Sequence, residues 1–229
     1  RNNVSIDASL IPAKIPSIGT LEVANALEDP EKLAKLLLGN GFTVSKSGRI
    51  FTNEEKRLAF AGDMIYYTND APAERLAGFS QKSAEELVKQ RLSGYGFDLS
   101  NAEVESTING DGSYAVRVEQ NVDSVTLFDS WFEAEIGEDG LRKFEGSWFV
   151  PSGKKDFFER DATKVKLITS VLIDFLSDSA RPKDQTTTIV DIELGYTTGA
   201  KDTFHKEVTA MPVWRITTDD GATYLYDAR

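Results

Sequence analysis

Residues 189–196 read Ile189-Val190-Asp191-Ile192-Glu193-Leu194-Gly195-Tyr196, and charged side chains alternate with apolar ones through the centre of this run. Alternation with period two is typical of a strand that buries one face. We predict that the strand covers 186–196 and is followed by strands over 204–218 and 222–227. Asp219-Asp220-Gly221 fits the hairpin turn that joins the last two. The C-terminal part of the chain is therefore predicted to be an antiparallel sheet.

A helix is predicted directly before this sheet, over 161–177. Its apolar residues share one broad face, which is the pattern of an amphipathic helix. They are Val165, Ile168, Val171, Leu172, Phe175 and Leu176. The sequence Arg181-Pro182 ends this helix, and the polar stretch 151–155 separates it from what comes before. One helix followed by antiparallel strands thus forms a C-terminal unit.

The same order of elements occurs once more upstream. Ser83 and Glu86 have the spacing of a capping box at a helix start, and Gly94 ends that helix. Four strands are predicted after it, with turns at 109–112 and 138–140. Their ranges are 114–119, 124–128, 131–136 and 141–149.

The N-terminal part carries a weaker version of this pattern. Residues 1–28 are predicted to be irregular because Pro12 and Pro16 interrupt them. A helix over 30–38 begins with Pro30 behind the N-cap candidate Asp29, and short strands follow it over 42–45, 57–61 and 64–68.

These patterns predict an α+β fold made of tandem units, each with one helix packed on a curved antiparallel sheet. The predicted domains are an N-terminal segment with a small helix and short strands over 1–69, a first α+β unit over 70–155, and a second α+β unit over 156–229.

Composition and charge exclude several classes of function. The chain has 229 residues, with 26 Lys and Arg against 37 Asp and Glu, for a formal net charge of -11. No basic stripe is present to neutralise phosphates, so we expect no nucleic-acid partner. The chain contains no cysteine, which excludes disulfides, thiolate catalysis and cysteine-based metal sites.

The residues that catalysis or a cofactor would need are sparse. His205 is the only histidine, lies in a polar run, and is predicted to be a surface residue. The acidic turns at 109–112 and 219–221 lack the spaced ligands of a calcium loop and are interpreted as hairpin turns. No phosphate-binding glycine loop occurs. We therefore predict no metal, no organic cofactor and no enzymatic activity, although paired carboxylates of a glycan-cleaving enzyme are not excluded by counting acids.

Paired aromatic residues offer a different kind of site. Three of them, Trp131, Phe149 and Phe158, are candidates for contacting a partner, since interfaces favour aromatic side chains. The alternative is that these pairs serve the core and cover sheet edges. Trp214 is predicted to be buried against the third helix.

The closing strands resemble a known family. The segments 189–196, 211–216 and 220–228 follow the pattern I-x-L-G-Y, then P-x-W-R-I, then a glycine turn and Y-x-Y-x-A. This pattern resembles the end of the YycI/YycH regulatory proteins of Gram-positive bacteria. Its signature residues here are Gly195, Tyr196, Pro212, Trp214 and Arg215.

The resemblance implies tandem units akin to the PepSY domain and an extracytoplasmic location, with anchoring by an N-terminal membrane helix that is not in this sequence. It also implies contact with a sensor histidine kinase of a two-component system that controls cell-wall metabolism, or with a related regulatory protein. The family supplies no catalytic or cofactor residues. The alternatives are a PepSY-like inhibitor or chaperone of a secreted protease and, third, an enzyme that acts on the cell wall. Homodimerisation is the rival use of an exposed binding surface.

Overall fold

The computed structural model describes residues 4–15, 18–27, 29–152, 165–180, 186–199 and 203–229. In these ranges the chain forms fourteen strands, one short 3-10 helix at Ala8–Leu10 and three α-helices. The strands are β1 (Val4–Ile6), β2 (Leu21–Asn25), β3 (Thr43–Val44), β4 (Ile50–Thr52), β5 (Lys56–Ala61), β6 (Met64–Asn69), β7 (Ala102–Ile108), β8 (Tyr114–Val122), β9 (Val125–Gly137), β10 (Gly140–Ser147), β11 (Phe149–Pro151), β12 (Thr187–Thr197), β13 (Glu207–Thr218) and β14 (Thr223–Asp227). The helices are α1 (Pro30–Leu38), α2 (Gln81–Gly94) and α3 (Ile168–Ser177).

The chain divides into two compact units, and both are discontinuous in sequence. The large unit consists of Val23–Ser152 and Gly199–Val208. The terminal unit consists of Arg1–Glu22, Gly153–Thr198 and Thr209–Arg229. This grouping differs from the predicted boundaries near residues 69 and 155.

The large unit is built on one antiparallel sheet of eight strands in the order β7-β8-β9-β10-β6-β5-β4-β3. The pairing of β6 with β10 places Tyr67 opposite Phe144 and Tyr66 opposite Glu145. Side chains alternate between the two faces of a strand, so Tyr67 and Phe144 face the core while Tyr66 and Glu145 face outward. We call the outward surface the open face.

Both helices of the large unit contribute to the core of this sheet. Helix α1 buries Leu33, Ala34, Leu37 and Leu38, and helix α2 buries Ala84, Val88 and Leu92. The predicted start of α1 is confirmed, because the carboxylate of Asp29 accepts hydrogen bonds from the backbone N–H groups of the first turn and Pro30 is the first helical residue. The predicted start of α2 was three residues late. Ser80 is the N-cap, and Ser83 is its capping-box partner instead of being the cap.

Stacked aromatic rings fill the centre of the large unit. Phe132 contacts Phe144 edge to face, with the ring centroids 5.6 Å apart, and stacks on Trp148 at 5.4 Å with the planes 6° from parallel. The indole N–H of Trp148 donates to the carbonyl oxygen of Asp98 at 3.0 Å. A buried indole is therefore fully satisfied, and the cluster combines apolar burial with preferred ring geometries.

Gly146 permits the close approach of β10 to β9. Its φ of +144° lies in a region that side chains disfavour, and a Cβ atom there would lie 1.9 Å from the carbonyl oxygen of Trp131. Only glycine fits this point of the ladder.

The terminal unit contains a smaller, mixed sheet. Strand β12 pairs antiparallel with β13, and β13 with β14. Strand β1 pairs with β12 in parallel, from Val4 opposite Thr187 to Ile6 opposite Ile189. The face with α3 buries Val171 and Phe175, and the ring of Phe175 contacts Tyr224 edge to face at 5.3 Å. The predicted end of α3 at Ser177 is confirmed, but among the described residues the helix begins only at Ile168.

The predicted fold class was wrong. Strands account for 46% of the described residues, the three helices seen among them are short, and the elements do not form tandem units of one helix on one sheet. In the large unit, β3–β6 and β7–β10 belong to a single sheet with two helices, although the sequence pattern assigned them to separate segments. The predicted irregular segment 1–28 also contains β1 and β2. The repeated order of helix and strands along the chain predicted repeated units. The architecture is instead determined by pairing between strands that are distant in sequence, such as β6 with β10.

Among the helices of the described ranges, none combines the length and the apolar character needed to cross a bilayer.

Candidate functional site

The open face of the large unit carries a network of charged side chains centred on Arg117. Its guanidinium lies 2.8 Å from a carboxylate oxygen of Glu119 and 3.6 Å from one of Glu133. The same guanidinium lies over the ring of Trp131, 4.4 Å from the centroid. Trp131, a predicted partner-contacting residue, is therefore half-buried under a cation and contributes to a cation–π contact on the open face.

A shallow groove of about 230 Å³ lies on the open face beside this network. Glu133 and Glu145 are directly opposite each other on β9 and β10, and both are exposed. Next to them, Lys143 Nζ lies 3.1 Å from Glu135, and the Tyr66 ring is 38% exposed. Like charges directly opposite on neighbouring strands are unfavourable in the free protein, so this surface favours a cationic contact.

The other two predicted partner-contacting aromatics do not add to this surface. Phe149 is only 1% exposed, so its ring is buried and is not presented to a partner. The prediction that Phe149 contacts a partner is therefore wrong, because a ring buried to this degree cannot reach another protein. Phe158 lies outside the described residues.

The predicted signature residues lie together in the terminal unit, where they shape its sheet. Gly195 is opposite Val213 and Tyr196 is opposite Pro212 in the β12–β13 ladder. Trp214 is fully buried, as predicted, and its indole N–H donates to the carbonyl oxygen of Lys166 at 3.0 Å. Arg215 lies 2.6 Å from a carboxylate oxygen of Glu193 on the neighbouring strand. These contacts are the structural role of the signature.

A buried aspartate connects three segments of the large unit. Asp63 is 4% exposed, and its carboxylate accepts hydrogen bonds from the amide of Asn25 at 3.1 Å and from the backbone N–H of His205 at 2.8 Å. The ring atom Nδ1 of His205 lies 2.9 Å from the second oxygen, and Nε2 lies 3.1 Å from Thr203 Oγ1.

This arrangement has the order acid, imidazole, hydroxyl that is known from nucleophile triads. Two of the donors to Asp63, however, are an amide and a backbone N–H, which is the pattern of a tether that holds the segment 203–208. The predicted surface histidine keeps 32% of its side chain exposed, but its ring is held by Asp63. Nothing in the sequence pointed to Asp63 or Asn25, because the hydrogen-bonded residues Asp63 and His205 are 142 positions apart.

A polar cavity of about 130 Å³ lies at the ends of α1 and α2. It is lined by Tyr67, Tyr95, Glu74 and Arg91, with Arg91 Nη2 2.5 Å from Glu74 Oε1. Burial raises the pKa of the Tyr67 hydroxyl and that of Tyr95 above their ordinary value. Glu74 Oε2 is buried and accepts no hydrogen bond from the residues that the structure describes.

A metal ion is held by His, Cys, Asp or Glu side chains that converge on one point, and Asp and Glu occur throughout the ranges that the structure describes. In these ranges no group of three or more His, Cys, Asp or Glu side chains is arranged to hold a metal ion. The two acidic turns are hairpin turns, as predicted: Gly112 N–H donates to the carbonyl oxygen of Asn109 and Gly221 N–H to that of Thr218.

Comparison with known proteins gives a fold and no sequence-level relative. No protein-family model matches the chain, and no curated protein matches it significantly. An uncharacterised protein from Eubacterium rectale, solved by crystallography, has a similar structure, with a TM-score of 0.59 and 13% identity, covering 100% of this chain and 89% of that one.

YycH from Bacillus subtilis has a similar structure as well, with a TM-score of 0.55 and 12% identity. The match covers 94% of this chain and 53% of the YycH chain, so this chain spans about half the length of that protein. At these identities the likeness concerns the fold alone. The resemblance seen in the closing strands is thus matched by a YycH-like fold, while no sequence match extends it to membership of the YycI/YycH family.

Proposed function

We propose that this chain is an extracytoplasmic binding domain that regulates a membrane sensor histidine kinase of a two-component system by protein–protein contact. The observation that carries the proposal is the YycH-like fold over 94% of the chain. The closing-strand pattern of 189–196 and 211–216 supports it independently of the fold comparison.

The surface of the large unit is compatible with this role. Its open face is a broad antiparallel sheet that exposes charged residues, and the groove beside Glu133 and Glu145 favours a cationic partner surface. A net charge of -11 adds long-range attraction for a basic partner.

The proposal includes a location outside the cytoplasm and attachment to the membrane by an N-terminal helix beyond these 229 residues. Contact with a second regulatory protein of the same family fits the same reasoning. Inhibition or chaperoning of a secreted protease is the alternative partner class, and a cell-wall-acting enzyme is the alternative outside binding.

The test uses the protein in its native sequence context in the source bacterium. Membranes are treated with a cleavable crosslinker, the protein is captured by an affinity tag, and the partners are identified by mass spectrometry. We expect a sensor kinase, alone or with a related regulator, and a change in the phosphorylation of its response regulator when the gene is deleted.

Capture of a protease with unchanged kinase output would replace the proposal by the inhibitor or chaperone alternative. Recovery of the protein alone, again with unchanged output, would reject the regulatory function.

A further inference from the structure

We propose that the outer edge of β7 is the docking site for the partner, which adds an extended strand bearing Lys or Arg to the sheet of the large unit. The inference rests on the proposed function and names the surface and the chemistry through which that function operates. Three features of β7 support it: the backbone groups that point away from β8, the carboxylates of Glu103 and Glu105, and the exposed side chain of Ile108.

Strand β7 is a long strand at the edge of the sheet. It has seven residues and, among the described parts of the chain, pairs with β8 alone. Edge strands leave a row of backbone N–H and C=O groups that a strand from another protein can bind.

The hydrogen bonds at both ends of β7 show which backbone groups face outward. Asn121 N–H donates to the carbonyl oxygen of Asn101, and Asn109 N–H donates to that of Ser113. Odd-numbered residues therefore point their backbone groups toward β8. Because the direction alternates along an antiparallel strand, the backbone groups that point away from β8 are those of Val104, Ser106 and Ile108.

The side chains of the edge are negatively charged on the open face. Glu103 and Glu105 are exposed, and neither forms an ion pair with a described residue. Glu105 is directly opposite Arg117, but that guanidinium contacts Glu119 and Glu133 instead. The two carboxylates are thus left for cations on a strand added outside β7.

These charges decide between a second copy of the chain and a different partner. Antiparallel pairing of two β7 edges would bring Glu103 and Glu105 of one copy next to those of the other, which is unfavourable. A strand with Lys or Arg at alternate positions would instead place a cation beside each glutamate. Ile108, 62% exposed, adds an apolar contact at the end of the edge.

The first experiment uses a capped seven-residue peptide of alternating lysine and valine, labelled with a fluorophore, and the full chain. We expect saturable binding by anisotropy, together with slower amide exchange at Val104, Ser106 and Ile108, the residues that face away from β8. A peptide of the same composition with its lysines in one block should bind at least several-fold more weakly, as should one with N-methylated backbone. Equal binding of the N-methylated peptide would overturn strand addition.

The second experiment changes the charges of the edge. The double variant Glu103→Lys/Glu105→Lys should lose affinity for the peptide by on the order of tenfold, because two attractive cross-strand pairs become repulsive. The control is Glu54→Lys/Glu55→Lys, which makes the same charge change at two exposed residues outside β7. Equal losses in both variants would show a general charge effect and overturn the site.

The same variants in the membrane capture separate this inference from the proposed function. If the unaltered protein captures the kinase and the β7 variant captures it equally well, the function stands and the docking site is wrong. If the unaltered protein captures no kinase, the function is wrong, and the peptide measurements still decide on the edge.

Discussion

The two units of the molecule each bury one tryptophan in the same chemical way, but they build different cores around it. Trp148 in the large unit and Trp214 in the terminal unit are at most 1% exposed, and each indole N–H donates to a backbone carbonyl at 3.0 Å. Trp148 stacks on Phe132 within a chain of aromatic rings under two helices. Trp214 lies in a unit with a smaller mixed sheet and a single described α-helix. The same anchor therefore serves two architectures, and similar local patterns do not make the units alike.

Replacing the tryptophans should give the largest effects. Trp148→Ala and Trp214→Ala should each lower the free energy of unfolding by about 3–5 kcal/mol, with Trp148→Ala at the upper end because it also loses the stacked ring. Denaturant unfolding followed by circular dichroism measures the loss, and segment-resolved hydrogen exchange should place it in 23–152 for Trp148→Ala and in β12–β14 for Trp214→Ala.

Phenylalanine is the matched control at both positions. It keeps most of the ring and removes the indole hydrogen bond, so the loss should fall toward about 1 kcal/mol plus a small packing cost. A loss below about 1 kcal/mol for either alanine variant would contradict the anchor role.

Replacing Asp63 should cause the next largest loss of stability. The variant also tests the assignment of 199–208 to the large unit. Asp63→Ala leaves the amide of Asn25 and two N–H groups of His205 without their acceptor, which should cost about 1–3 kcal/mol. Because His205 is the only histidine, its imidazole NMR signals report on the tether without ambiguity. We expect them to shift and narrow in the variant, with faster amide exchange over 203–208.

Asp63→Asn is the companion variant, since it keeps the shape and one acceptor. It should retain part of the protection of 203–208. Unchanged histidine signals in Asp63→Ala would show that the segment is held by other contacts.

Two hairpin aspartates, one in each unit, should respond differently to salt in acid. Hydrogen bonds from Ser113, followed by the guanidinium of Arg142, hold the pKa of Asp111 well below its ordinary value. For Asp220, hydrogen bonds from Thr218 and from the backbone N–H of Ala222 lower the pKa without a cation.

In both cases the stabilisation is present above the ordinary pKa of 3.8 and is lost as the pH falls through the lowered value. Asp111→Asn and Asp220→Asn should each reduce the amount of stability that the protein loses as the pH falls in the acid range. Added salt, at about 1 M, should weaken the contribution of Asp111 more than that of Asp220, because it screens the Asp111–Arg142 ion pair. Melting temperatures measured against pH at two salt concentrations test this, and equal salt responses would argue against a role for Arg142.

The smallest effect concerns tyrosines in alkali. Burial raises the pKa of Tyr67 and of Tyr226, and the hydrogen bond that Tyr226 donates to Asp178 raises the latter further. A raised pKa contributes stability that is complete below the ordinary value of 10.0 and is lost as the pH rises toward the folded value. Titration of tyrosinate absorbance should show tyrosine hydroxyls that ionise only well above pH 10. Tyr67→Phe and Tyr226→Phe should each reduce the number of these hydroxyls by one. Variants that leave the late phase unchanged would show that these hydroxyls reach solvent.

Local signals in the sequence predicted much of the secondary structure. Helix α1, with Asp29 as its cap, has its predicted bounds, and strands β5, β6, β12 and β14 fall within one residue of the predicted ranges. The start of α2 was misplaced because Ser83 and Glu86 match the usual capping-box pattern, whereas the box in the structure is formed by Ser80 and Ser83. Strand β9 was predicted as two strands, since its central Asp129-Ser130 breaks the apolar alternation without breaking the strand.

The features that the sequence did not predict are contacts between residues that lie far apart along the chain. Strand β1 has three residues and no pattern of its own, and its partner β12 lies near the other end of the sequence. The pairing of β6 with β10, which joins two predicted segments into one sheet, likewise has no local signal. Among the site residues, the buried Trp214 followed from alternation along β13, whereas Asp63 and the open edge of β7 required the register of the sheet.

The parallel pairing of β1 with β12 has a consequence for the way the protein is made. Ser5 hydrogen-bonds to Thr188, 183 positions later, so β1 is synthesised well before the strand with which it pairs. Contacts of such long sequence separation slow folding, since the intervening chain must be ordered before they form. Most of the large unit, by contrast, is complete once Ser152 has emerged. During synthesis there is therefore a period in which the large unit is largely formed while β1 of the terminal unit still lacks its partner strand β12.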